Sequence, residues 1–109
     1  MSFAVSPAAR ADVLATSADL DRQPGRLGTA FEAEVEAALD RIAATPQLFS
    51  PAEDAPPAGE YREFFIDRFQ QRVTYRVTGG DVLIVAVTHA SRRPGAWHRR
   101  LPADPPETT

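Results

Sequence analysis

A chain of 109 residues is long enough to bury one modest core and too short for two. It contains no cysteine, which excludes a disulfide framework and a thiolate metal site. No apolar run approaches the roughly 20 residues that span a bilayer. The net charge of −3 hides an asymmetry: residues 1–60 carry four arginines against ten acids, and residues 61–101 carry eight arginines against three. Such a split argues for two faces with different partners, or for halves that neutralise each other across the fold. All 12 basic residues are arginine, whose planar fork pairs phosphates and carboxylates bidentately. Met1–Pro7 lacks the basic and apolar regions of a signal peptide, so a cytoplasmic protein with no membrane partner is expected.

In chain order, Phe3-Ala-Val-Ser is a short candidate strand. Ser6-Pro7 reads as an N-cap followed by an N1 proline. The helix they open is predicted to run to Leu20, with Val13, Leu14 and Leu20 inward, and to stop before the turn signal Gln23-Pro24-Gly25. Gly28-Thr29 opens a second helix, with Thr29 as N-cap and Glu32 completing a capping box. Phe31, Val35, Ala38, Leu39 and Ile42 repeat at helical spacing and are predicted core. Glu32, Glu34, Glu36 and Asp40 read as its solvated face. Thr45-Pro46 ends it.

Residues 46–59 read as a loop with four prolines, from which Leu48 and Phe49 are expected to tuck onto the core. Three strands follow. Tyr61–Ile66 is rich in aromatics. Arg72–Thr78 alternates Val73, Tyr75 and Val77 with polar residues, the pattern of a half-buried strand. Asp81–Thr88 is apolar at every position from Val82 to Val87, as in a strand covered on both faces. Gly79-Gly80 fits a tight hairpin between the last two. Residues 102–109 are expected to form a disordered tail behind a single domain at 1–101. The predicted architecture is α+β in the order β-α-α-β-β-β. Two N-terminal helices pack on a small, mainly antiparallel sheet, and the first strand pairs with the last.

Beyond the last strand the chain crowds His89, Arg92, Arg93, Trp97, His98, Arg99 and Arg100 into one segment. A rigid strand that presents cations and an aromatic on its exit loop suits an anionic or protein partner. Trp97 is expected to be exposed there, or to fold back over the helices as a cap on the core. Arg72 and Arg76 are candidates for the same surface, or for pairing with Glu63 or Asp67 on a neighbouring strand. His89 and His98, nine residues apart with no acid at matched spacing, do not suggest a metal site.

Several segments together resemble the RelE/ParE superfamily of toxins from type II toxin–antitoxin pairs, which includes plasmid stabilisation proteins. They are Phe3–Leu14, Gly25-Arg-Leu-Gly-Thr-Ala-Phe31, Ala38–Phe49, Tyr61-Arg-Glu-Phe64, Arg72-Val-Thr-Tyr-Arg-Val77, and Val82–Val87 followed by His89-Ala-Ser-Arg-Arg-Pro-Gly-Ala-Trp97. The resemblance covers about residues 3–100. It implies a growth inhibitor without cofactor, held by a cognate antitoxin in a hetero-oligomer.

Two activities occur in that superfamily: ribosome-dependent cleavage of messenger RNA, and interference with DNA gyrase. The first needs an acid, a base and cations around the scissile phosphate. Arg72, His89, Arg92, Arg93 and His98 are its candidates here. Trp97 stands where such nucleases carry a tyrosine, Arg62 and Phe64 where they carry lysines, and the acidic chain ill suits ribosomal RNA. Gyrase interference needs no catalytic hydroxyl and is the preferred expectation. Target- or antitoxin-binding residues are then Arg62, Arg72, Arg76, Arg92, Arg93, Trp97, Arg99 and Arg100. A third alternative is a non-toxic remnant that only binds its antitoxin.

Overall fold

Ser6 starts the first helix as its chemistry dictates. Its backbone is extended and its Oγ accepts the Ala9 N–H at 3.1 Å, with Pro7 occupying the first turn, where no N–H is needed. The computed structural model describes residues 2–100, with side chains as far as residue 98. Helix α1 spans Pro7–Asp21 and turns a narrow stripe inward: Ala9 and Ser17 are buried, with Val13 and Leu20 packed half-buried against the core. Leu14, predicted inward, is 61% exposed. One residue beyond Val13 is about 100° further round the helix, off a stripe this narrow.

Helix α2 spans Gly28–Ala44 and does not use the predicted capping box. It begins one residue before Thr29, and its N-cap position is Leu27, which offers no side-chain acceptor. Asp21, the last residue of α1, takes the role instead: its Oδ1 accepts the Gly28 N–H at 2.9 Å, at the positive end of the α2 dipole. A Cβ on residue 28 would stand 2.5 Å from that carboxylate, so only glycine permits the approach. Glu32, released from capping, accepts the buried Ser17 hydroxyl at 2.5 Å and ties the helices together. Phe31, Val35, Ala38 and Ile42 are buried as predicted, while Leu39 is only partly buried.

The helices cover one face of a five-stranded sheet. Its strands are β1 (Phe3–Val5), β2 (Ser50–Pro51), β3 (Glu60–Ile66), β4 (Gln71–Thr78) and β5 (Asp81–His89), in the spatial order β1-β5-β4-β3-β2. The first strand does pair with the last: β1 runs parallel to β5, with Phe3 opposite Val82 and Val5 opposite Ile84. Where β1 ends, α1 takes over the edge, and Asp12 Oδ2 accepts the Val87 N–H at 2.9 Å. Gly79-Gly80 forms the two-residue turn of the β4–β5 hairpin, with Gly79 at φ 60°. The proline-rich loop holds a strand that its composition hides. Ser50 and Pro51 pair with Glu63 and Arg62 on the sheet edge, where a proline removes no ladder bond.

An extra residue in β5 shapes the sheet. Thr74 pairs with Ala86 but Tyr75 pairs with Ile84, so Val85 is a bulge. Val82, Ile84 and Val87 face the helices, whereas Val85 and Ala86 both join a second cluster on the opposite face with Ala52, Tyr61 and Trp97. The expectation of a strand covered on both faces therefore holds except at Leu83, which stays 38% exposed beyond the reach of that second cluster.

In the 46–59 loop, Phe49 tucks inward as expected and meets Phe64 edge to face at 4.9 Å. Leu48 does not, and is 70% exposed. The loop is pinned by Tyr75, whose hydroxyl donates to the Pro46 carbonyl at 2.6 Å. Burial pushes that phenol up to about 12. The tail expected at 102–109 lies outside the described residues.

Truncating the fully buried Ile42 to alanine is expected to cost about 2–5 kcal/mol. The same change at the partly buried Leu39 is expected to cost less, as read from urea unfolding. Tyr75→Phe should cost about 1–3 kcal/mol by stranding the Pro46 carbonyl. The raised folded pKa also means that the parent keeps its phenol contribution below pH 10 and loses it as pH climbs toward 12. The variant should lack that decline.

Candidate functional site: the helix-free face of the sheet

Alternation along β3 and β4 decides which arginines share a face. Register places Tyr61 opposite Arg76, Glu63 opposite Thr74 and Phe65 opposite Arg72, all on the face away from the helices. Leu83, Val85, Ala86 and Thr88 of β5 complete that face. The chain after β5 then folds back across it. Trp97, in a short 3-10 turn at Ala96–Arg100, is 6% exposed and lies 5.0 Å from the Tyr61 ring, over Val85 and Ala86. The expectation of an exposed Trp97 is corrected accordingly: the indole is a structural anchor, and it caps the sheet rather than the helices. Gly95 makes the crossing feasible, since at φ 81° its Cα passes where a Cβ would come within 3.0 Å of Asp54.

This anchor presents the residues between Ala90 and Gly95 as a loop. Arg72 supports it from below: Nη1 reaches the carbonyls of Ala90 and Arg92 at 3.5 Å each, and Nε stands 4.0 Å from Glu63 Oε1. Arg92 and Arg93 are exposed, and on the same sheet face Phe65 is 43% and Leu83 38% exposed. Arg76 lies with its guanidinium 5.9 Å from the Tyr61 centroid, and its Nε is buried without a hydrogen-bond partner among the described residues.

The remaining predicted residues divide. Arg62 points to the helix side, where it bonds Glu60 at 2.7 Å and the Phe49 carbonyl at 2.6 Å, holding the proline-rich loop. His89 also lies on the helix side, because it pairs with Gln71 while its neighbour Thr88 pairs with Arg72. Its Nδ1 accepts the Ser91 N–H at 3.0 Å, so the neutral ring carries its proton on Nε2. His98 packs on Trp97 at 4.4 Å between centroids, with Nε2 buried and unpartnered among the described residues. Arg99 and Arg100 lie in the 3-10 turn.

Glu63, expected only as a pairing partner for Arg72 or Arg76, does stand beside Arg72. Burial raises its carboxyl above the ordinary 4.5; Arg72 works against this, and the neighbouring Glu53 adds to it. At 4.0 Å the guanidinium is too distant for a full hydrogen bond and leaves the desolvation uncompensated. The alternation Tyr61, Glu63, Phe65 was the signal available for placing this carboxylate beside Arg72. Among the described residues no three His, Asp or Glu side chains converge as metal ligands, and no helix is long and apolar enough to cross a membrane.

Two helices on a five-stranded mixed sheet, with a basic loop over the open face, define a small α+β protein. Residues 4–94 match the family described as ParE toxin of type II toxin–antitoxin system, parDE. The chain belongs to this family. No curated protein matches it by sequence. Among solved structures, the chromosomal ParDE toxin–antitoxin system from P. aeruginosa resembles it with a TM-score of 0.61 at 17% identity. The match covers 82% of this chain and 95% of that one, a likeness of fold.

A raised carboxyl pKa favours the folded state at low pH, and that benefit is lost as pH rises above 4.5 through the folded value. Glu63→Gln should therefore raise the melting temperature at pH 7 and leave it unchanged well below pH 4. Equal curves at both pH values would mean that Arg72 fully compensates the charge.

Proposed function

We propose that the chain is a cytoplasmic growth inhibitor that acts by interfering with DNA gyrase and is neutralised by a cognate antitoxin in a toxin–antitoxin hetero-oligomer. The observation that carries this reading is the loop at 90–95. It presents Arg92 and Arg93 to solvent on a support made by Arg72 and the buried Trp97. Exposed arginines on a face that also carries accessible Phe65 and Leu83 suit a protein partner. Such a surface needs no proton transfer. His89 turns to the other face, away from the arginines it would have to serve in catalysis. An antitoxin that covers this face would bring acidic residues to the arginines.

A second reading, cleavage of messenger RNA, rests on the Glu63–Arg72 pair. A partly buried carboxylate of raised pKa beside a fixed cation is the arrangement a general base takes next to a phosphate.

Controlled expression in bacteria separates the two. With gyrase as target, DNA breaks and filamentation appear while message 5′ ends stay intact. Arg92→Ala with Arg93→Ala abolishes toxicity with little change in melting temperature, and Glu63→Gln stays toxic. Phased message cuts that disappear in Glu63→Gln would favour the nuclease. No growth effect from the parent chain would leave a remnant that only binds its antitoxin.

A further inference from the structure

Beyond β5 the chain is tied to the rest of the fold by very little. The Ala90 N–H donates to the Gln70 carbonyl at 2.7 Å, the last backbone bond to another segment among the described residues. After that the backbone bonds only to itself: Arg92 to His89 at 2.9 Å, Ala96 to Arg93 at 3.1 Å and His98 to Gly95 at 3.0 Å. Arg72 adds two bonds of 3.5 Å, to the carbonyls of Ala90 and Arg92. Residues 94–98 are therefore held down chiefly by the packing of Trp97 on Tyr61, Val85 and Ala86.

Closure carries a cost in the same place. Of the three buried side-chain atoms without a hydrogen-bond partner among the described residues, two lie about the Tyr61–Trp97 pair. They are Arg76 Nε, whose guanidinium stands by the Tyr61 ring, and Nε2 of His98, whose ring packs on Trp97. Such an atom gives up its water and gains no partner in exchange. The free energy lost at one of them is of the same order as that gained by burying one large apolar side chain. The crossing is also tight. A Cβ on Gly95 would stand 3.0 Å from the Asp54 Cβ and 3.1 Å from its carbonyl oxygen. The indole's packing is thus opposed by two unpaired polar atoms, and the closed arrangement is only narrowly favoured.

We propose that residues 94–98 are a strap that lifts from the sheet and closes again while the rest of the fold stays intact. The hinge falls just after Ala90, where bonds to other segments end. Lifting returns water to Arg76 and His98 and uncovers Tyr61, Val85 and Ala86. It also removes one of the two supports of the loop at 90–95, so the display of Arg92 and Arg93 depends on closure. The motion belongs to the free chain and stands whatever the target of those arginines.

The test is thiol labelling of the folded full-length chain, which has no cysteine of its own. Ala86→Cys puts a thiol beneath Trp97, and Ile84→Cys puts one in the helix-side core of the same strand; both positions are fully buried. An aryl disulfide reagent reacts with such a thiol only when its cover opens. Labelling at 86 should be faster than at 84 by about 100-fold or more. It should hardly respond to low urea, because lifting the strap exposes little surface, whereas labelling at 84 should accelerate with urea as global unfolding does. In the Ala86→Cys background, Arg76→Met removes the unpaired Nε and should slow labelling about ten-fold. Gly95→Ala sets a Cβ against Asp54 and should speed it. The same or a steeper urea dependence at 86 than at 84 would mean that the segment lifts only when the whole chain unfolds, and would overturn the proposal. Faster labelling in Arg76→Met would overturn it too, since the guanidinium would then be holding the strap down. If Ala86→Cys does not fold, Val85→Cys places the thiol in the same cluster and is read in the same way.

Discussion

The single extra residue at Val85 is the constraint on which the helix-free face of the sheet depends. In a regular strand, side chains from Val82 to Val87 would alternate strictly, and one of Val85 or Ala86 would join the helix-side core. The bulge sends both to the opposite face and returns Val87 to the helix side. Two adjacent apolar side chains on an open sheet face give Trp97 and Tyr61 something to close over. Without that small second core the chain after His89 would have no anchor, and Arg92 and Arg93 would hang on a loose tail. The same region is braced from the helix side by Asp12, which supplies the Val87 N–H with an acceptor where no strand continues.

Much of the fold was legible because local chemistry and long-range packing agree. Ser6-Pro7, the stripe from Phe31 to Ile42, the alternation of Val73, Tyr75 and Val77, and the Gly79-Gly80 turn each carry a local signal that the tertiary structure leaves intact. The misses share another cause. Thr29 was displaced as a cap by Asp21, a carboxylate arriving from the preceding helix, and nothing within the α2 sequence announces it. Leu14 and Leu48 look like core by hydropathy alone, yet both stand on the surface, Leu14 one step round the helix from the inward stripe. The Ser50-Pro51 strand is two residues long and exists only because β3 offers it an edge.

The placement of the candidate site residues was legible in composition and not in direction. The arginines at 72, 76, 92 and 93 do gather on one face, which their spacing along a strand and its exit loop foretells. His89 and Arg62 fall on the other side of the same sheet, one through strand parity at the end of β5 and the other through pairing with Tyr75. Trp97 looked like a partner's anchor because it sits among charges, but its environment is set by residues from three other segments, at 52, 61 and 85–86. Glu63 was foreseen as a partner for Arg72, and register sets it there, but the burial that raises its carboxyl has no signal in the sequence.

The buried indole also makes the molecule its own spectroscopic probe. Trp97 is the only tryptophan in the chain, and it rests against Tyr61, which can transfer excitation to it, and His98, which can quench it. Its emission therefore reports on a single event, the lifting of the C-terminal segment from the sheet. A partner that binds over the closed segment leaves the emission blue. One that slides beneath it and takes its place turns the emission red. Whether an added protein lifts this segment can thus be followed in real time with no label attached.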